Sequence, residues 1–243
     1  MLVVRHLLSA CLMTFVASSW SLVSFAEDTV QLQVVTELSP PHQTLVDGEV
    51  AGLATDKVKA LLQQAGISAS FAMYPWARAY NKASSEPNTL IYSIAKSPQR
   101  EDLFHWLIPV TRYEFGFVSL SERKDIRIDN WQALKNYSLV VQRQDIAHEW
   151  LMSIGLTEGE HFITCADIDC SWQLLLNNNV DLIIETPDLI DGMLRYFHQP
   201  AGSVKLIKTI PELAITGYLA ANQQIDPQLL SQLQQAMAQL SQR

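Results

Sequence analysis

The fold of this chain is legible in one stretch, Thr89-Leu-Ile-Tyr-Ser-Ile-Ala-Lys-Ser-Pro-Gln-Arg100. Apart from Thr89 and Ser93, its first seven residues are apolar, with no polar face left over for water. A strand of that character is covered on both sides, as parallel strands flanked by helices are. Ser97-Pro98 then interrupts it, and Arg100 follows just past the strand end. A second stretch, Val180-Asp-Leu-Ile-Ile-Glu185, has the same content and runs into Thr186-Pro187. Threonine at the cap and proline at the first helical position open a helix there.

Outward from these two stretches, strand-like and helix-like segments alternate. Strands are expected at residues 32–36, 68–74 and 89–95, then at 138–142, 161–164, 180–184, 204–210 and 215–220. Thr55 is positioned to cap a helix with Val58, Leu61 and Leu62 on one face and Gly66 at its end. Further helices are expected at 76–84, 131–134, 146–154, 172–176 and from Thr186. Asp226-Pro227 opens a last amphipathic helix carrying Leu230, Leu233, Met237 and Leu240. Ser39-Pro-Pro-His42 and Asp47-Gly48 read as turns. Repeated β-α-β units predict an α/β protein of parallel-rich sheets with helices on both faces. The join near 113–119 is itself strand-like, so the two runs should hinge on strands rather than swing on a tether.

The first 26 residues read as a cleavable signal peptide. Arg5 and His6 precede a mostly apolar run, Leu7 to Phe25, which exits through Ser24-Phe25-Ala26. The run approaches spanning length, so an uncleaved anchor is the alternative, and Leu8-Ser-Ala-Cys11 resembles a lipid-attachment box. Cys11 has only a short apolar stretch before it and a long one after, which places it inside the apolar core of the signal. The expected location is therefore the periplasm. The chain carries 17 basic and 25 acidic residues, and no basic cluster lies beyond the signal, which argues against a nucleic-acid partner. With 48% hydrophobic residues, a sizeable core can form and disorder is excluded. Past the signal only Cys165 and Cys170 remain, and in an oxidising compartment so close a pair reads as a disulfide, worth on the order of 2 kcal/mol for its short loop. Two free thiols are the other reading. His161 nearby completes no known zinc spacing, so no metal and no cofactor is expected.

Several segments, in order, resemble the bacterial extracellular solute-binding protein family 3, the periplasmic substrate-binding proteins of amino-acid ABC transporters. They are Leu32 to His42 with its Pro-Pro turn, Gly48-Glu-Val-Ala-Gly-Leu53, and Tyr74-Pro-Trp-Ala-Arg-Ala79, similar to a divergent "PWxRA" form. Ser93 to Arg100 with Phe104-His-Trp106 and Pro109, then Val180 to Glu185, then Tyr218-Leu-Ala-Ala complete the series. The resemblance implies a two-lobed, type II Venus-flytrap fold of parallel-rich mixed sheets with two hinge strands. Lobe 1 would be residues 27–117 and 209–243, and lobe 2 residues 118–208. It also implies a monomer that captures a small carboxylate-bearing solute, an amino acid or a relative, for a membrane permease.

The same resemblance assigns candidate residues. Arg100 stands where the family grips a ligand carboxylate, a task suited to a planar guanidinium that can meet both oxygens. Glu185 stands where an acid takes the ligand's amino group. Ser93 and Ala95 lie on the matching strand, with Ser93 offering a hydroxyl. Trp76, Tyr74 and His42 are candidate pocket walls, since aromatic faces pack flat groups and attract ammonium. Glu37 reaches toward the cleft from the first strand. Arg143-Gln144-Asp145 replaces the family's usual Gly-Thr turn, which puts a simple α-amino acid in doubt and brings Asp145 into the set. Two other roles fit the fold: a dehydratase-like enzyme using Glu185 as a general acid, and a sensory protein presenting its ligand to a signalling partner. Neither a Gly-x-Ser-x-Gly elbow nor a phosphate loop is present, and binding is the expected function rather than catalysis.

Overall fold

A computed structural model describes residues 31–241; residues 1–26, expected to be a signal peptide, and Cys11 among them lie outside the described residues. In chain order the elements are β1 (Leu32–Thr36), β2 (Thr44–Val46), β3 (Glu49–Ala51), α1 (Leu53–Ala65), β4 (Ala69–Met73), α2 (Trp76–Ser85), β5 (Thr89–Ala95) and β6 (Phe104–Leu120). There follow β7 (Leu139–Gln142), α3 (Ile146–Ser153), β8 (Ile163–Cys165), α4 (Ile168–Leu176), β9 (Leu182–Glu185), α5 (Pro187–Tyr196), β10 (Val204–Asn222) and α6 (Pro227–Leu240). Eight strands join in the order β4-β1-β5-β10-β6-β9-β7-β8, and β2 and β3 form a separate hairpin about Asp47-Gly48.

The apolar runs are explained by where alternate side chains go. Val34 and Leu90 pack on α1 and α6 with Val58, Leu61 and Leu233, whereas their neighbours Val35 and Ile91 pack on α2 with Trp76, Ala79 and Ala83. In the second half Val141 and Ile184 meet α3 through Ala147 and Leu151, whereas Val140 and Ile183 meet α4 and α5 through Trp172, Leu175 and Met193. Side chains alternate along a strand, so two covered faces require apolar residues at every position. β4, β1 and β5 are mutually parallel, as are β8, β7 and β9, and both trios are flanked by antiparallel β6 and β10.

β6 and β10 are longer than expected. The segments 204–210 and 215–220, expected as separate strands, are one strand paired along β6 from Val204–Leu120 to Asn222–Phe104. Continuity survives because the proline falls where the register slips: Thr209 faces Gly116 and Ala214 faces Glu114, so the intervening residues of β10 bulge out opposite Phe115. Ile210 and Leu213 of the bulge pack into the second half's core. Pro211 thus removes no ladder hydrogen bond.

The start of α1 also differs from expectation. It begins at Leu53 after Gly52, whose φ is +118° and where a Cβ would lie 2.5 Å from the His42 carbonyl oxygen. Thr55 is therefore inside the helix. Its hydroxyl donates to the Ala51 carbonyl (2.9 Å) and shares a hydrogen bond with the Tyr92 hydroxyl (2.7 Å). Gly66 ends the helix in the left-handed conformation, as expected. Cys165 and Cys170 form a disulfide that ties the end of β8 to the first turn of α4.

At the crossover, Gly116 has room for no side chain: a Cβ there would stand 2.5 Å from Leu206 Cδ1 and 2.7 Å from the Lys208 carbonyl oxygen. Gly116→Ala should push β10 off β6 and destabilise the fold by about 1–3 kcal/mol. A urea melt giving an unchanged midpoint would show that the strands yield freely at this point.

Candidate functional site

Parallel strands aim their C-terminal ends in one direction, and here four such ends meet. β1 delivers Glu37, β5 delivers Ala95 and the turn to Arg100, β7 delivers Gln142 to Asp145, and β9 delivers Glu185. The cavity between them is lined from both halves of the molecule, with Trp76 at the start of α2 closing one side. It is shut tight. The space open to the centre of a water molecule is about 40 Å³, room for a few waters but not for a solute.

Two side chains of the first half reach across it to the second. Arg100, only 1% exposed, lays Nε and Nη2 against Glu149 Oε1 at 2.8 and 2.7 Å, and its Nη2 also donates to the Gln144 carbonyl at 2.8 Å. Trp76 Nε1 donates to the same carbonyl, also at 2.8 Å. Arg100 and Trp76 come from the first half of the sheet, Gln144 and Glu149 from the second. Gln144 can present its carbonyl to both because its backbone is left-handed, with φ +60°, an uncommon conformation for a non-glycine residue. The guanidinium also lies near the rings of Trp76 and Tyr80, whose centres are 5.5 and 5.2 Å from it. Nη1 of Arg100 has no hydrogen-bond partner.

Three carboxyl groups face the same space. Glu185 is 5% exposed, and burial, reinforced by the charge of Asp145, pushes its pKa up to about 8. Burial likewise holds Glu37 well above the usual carboxylate range, with Asp145 and Glu185 adding to the rise. Asp145 is raised too, chiefly by desolvation, although Arg100 and the Ile146 N–H that it caps at 2.6 Å pull the other way. Glu37 Oε2 and Gln142 Oε1 are buried without partners.

Of the residues expected at the site, the structure gathers Glu37, Trp76, Ser93, Arg100, Asp145 and Glu185 around the cavity. Ser93 sits there at φ +63°, a strained position, with its hydroxyl unpartnered. Tyr74 lies outside, in an adjoining groove, under the guanidinium of Arg78 at 4.5 Å. His42 is not part of the lining; it packs edge-on against Tyr113 at 5.6 Å, and burial lowers its pKa. Tyr113 lines the cavity in its place. Gln142 and Glu149 escaped the sequence reading. Glu149 lies one helical turn after Asp145, on the same face of α3, and that spacing is the signal that could have found it.

No family model matches the sequence, and no curated protein matches it. Solved structures do match in shape. An ancestral arginine-binding protein bound to glutamine superposes with a TM-score of 0.72 at 16% identity, over 87% of this chain and 92% of its own. The arginine-, lysine- and histidine-binding protein ArtJ of Geobacillus stearothermophilus gives 0.72 at 15% identity, over 87% and 90%. A histidine kinase sensor domain similar to periplasmic binding proteins gives 0.72 at 17% identity, over 88% and 91%. The chain thus has the two-lobed, periplasmic-binding-protein-like α/β fold expected from its sequence. These neighbours are named for binding or sensing rather than for catalysis.

The raised Glu185 pKa fixes a pH dependence. Below about pH 4.5 the group is neutral whether the chain is folded or unfolded. Between there and about 8 the unfolded chain releases the proton that the folded one retains, so stability falls as pH rises and then levels off. Glu185→Gln should flatten that decline by on the order of a few kcal/mol. Denaturant titrations at pH 5 and pH 8 that give the same difference for variant and wild type would contradict the assignment.

Proposed function

We propose that this protein is an exported solute-binding protein that closes its two lobes over one small solute and presents it to a membrane permease. The proposed lobes are residues 27–117 with 209–243, and residues 118–208, and residues 1–26 would direct export to the periplasm. The observation that carries this reading is the cavity itself: it lies between the halves, at the C-terminal ends of parallel strands from each, where open α/β sheets bind their ligands. The cavity also combines buried charge with unsatisfied hydrogen-bonding groups, which packing alone would leave as a cost. In this reading Glu185 receives the amino group of an amino acid or related compound, and Trp76 walls the site. Nη1 of Arg100 and the hydroxyl of Ser93 are donors left over for the solute. The protein would work as a monomer.

A sensory role is the second reading. A histidine kinase sensor domain shares the fold, and the same closure would serve a signalling partner as well as a permease. Both readings rest on ligand-driven closure. A solute touching both halves binds the closed form better than the open one, and that difference shifts the population.

A thermal-shift screen of amino acids, amines, organic acids, sugars and short peptides tests this. A cognate solute at about one hundred times its Kd should stabilise the protein by about 2.7 kcal/mol. Its addition should also lower the radius of gyration in small-angle scattering, and Glu185→Ala should lose both effects. Absence of any shift across the panel, or tight binding with an unchanged scattering profile, would overturn the proposal.

A further inference from the structure

We infer that the cleft is built for a slender organic cation, a linear diamine or an amine-guanidine chain that carries no carboxylate. The inference rests on the solute-binding reading and narrows it.

Charge is the first ground. The charged side chains lining the cavity are Glu37, Asp145 and Glu185 against Arg100 alone. Arg100 is already matched by Glu149. Closing the lobes over a zwitterion would supply the three carboxyl groups no net counter-charge, so burial would keep them protonated and neutral. Closing them over a solute with two positive charges would supply it.

Hydrogen bonding points the same way. A ligand carboxylate is best gripped by two parallel N–H groups of one guanidinium. In Arg100, Nε and Nη2 are spent on Glu149 and on the Gln144 carbonyl, and only Nη1 is left. Glu149 thus occupies from within the place that a solute carboxylate would need. Asp145, another acid, lies one helical turn before Glu149. Besides those donors, the cavity offers unpartnered acceptors. Gln142 is 8% exposed, lines the cavity, and holds Oε1 there without a partner, as Glu37 holds Oε2. Unpartnered buried acceptors call for N–H donors, which an ammonium or guanidinium supplies in plenty.

Shape is the third ground. The cavity adjoins a groove that shares Glu37, Leu38 and Ile168 with it. That groove is lined by Asp167 and Asp169 and walled by the rings of Tyr74 and Tyr196. Asp169 accepts a hydrogen bond from the Tyr196 hydroxyl at 3.0 Å through Oδ2, while its Oδ1 is buried and unpartnered. Aromatic faces beside carboxylates favour a cation. One charged end of a thin chain would therefore lie among Glu37, Asp145 and Glu185, and the other in the groove.

Calorimetric titration of the purified protein with matched pairs tests this: putrescine against ornithine, cadaverine against lysine, agmatine against arginine. Each pair differs only in the carboxylate. For at least one pair the carboxylate-free member should bind, and at least about tenfold more tightly than its amino acid. Glu185→Gln and Asp145→Asn should each weaken it by a similar factor, the asparagine preserving the cap on α3. Glu149→Gln, which frees the Arg100 fork, should narrow the gap by raising affinity for the amino acid. Tighter binding of the amino acid in every pair that binds, or no heat from any of the six compounds at millimolar concentration, overturns the inference. If another class of solute then closes the lobes, the inference fails while the solute-binding reading stands.

Discussion

β6 and β10 belong to both halves of the molecule at once, and the rest of the structure depends on that sharing. The two strands pair from end to end. Leu219 and Ala221 of β10 lie in the first core, while Ile210 and Val204 lie in the cores of the second half. The ladder is irregular at four places, and the widest slip lies between Thr209 and Ala214. The same pair sets the direction of everything beside it. β5 and β9 flank it on opposite sides and are joined by their parallel neighbours β1 and β7, so four strand ends open onto a single gap.

Inside that gap low solvent exposure makes each charge expensive, and the arrangement reflects it. Arg100 is nearly inaccessible and is stabilised by Glu149, a carbonyl and two aromatic rings. Glu37, Asp145 and Glu185 have no comparable partner, and they respond by retaining protons to higher pH than an exposed carboxyl does. Backbone strain accumulates in the same place, at Ser93 and Gln144, both left-handed without being glycine. Strain and uncompensated polarity persist where surrounding packing over-determines them, and here that packing is two complete cores meeting at their edges.

Much of this was legible along the chain. The apolar run at 89–95 and Gly66 behind Val58, Leu61 and Leu62 each report a local rule and stand as read, whereas the strand expected at 180–184 runs from Leu182 to Glu185, and Thr186 precedes Pro187 at the start of α5 without a capping hydrogen bond from its side chain. Thr55 does not stand as read. It has the residue type of a cap, but its hydroxyl is claimed by Tyr92, thirty-seven positions away. The segments 204–210 and 215–220 read as two strands and are one, because β6 pairs with both across the bulge between Thr209 and Ala214.

The sequence by itself determined which segments are strands covered on both faces, that they alternate with helices, and which polar residues sit at strand ends. Those are properties of neighbours along the chain, fixed by periodicity and capping chemistry. Only the tertiary structure decided what those polar residues meet. It put Glu149 into the fork of Arg100, sent His42 behind Tyr113, and left Gln142 facing the cavity. Pairings of that kind join residues dozens of positions apart, and no local pattern encodes them, because they exist only once two separately packed halves have been brought face to face by the strands they share.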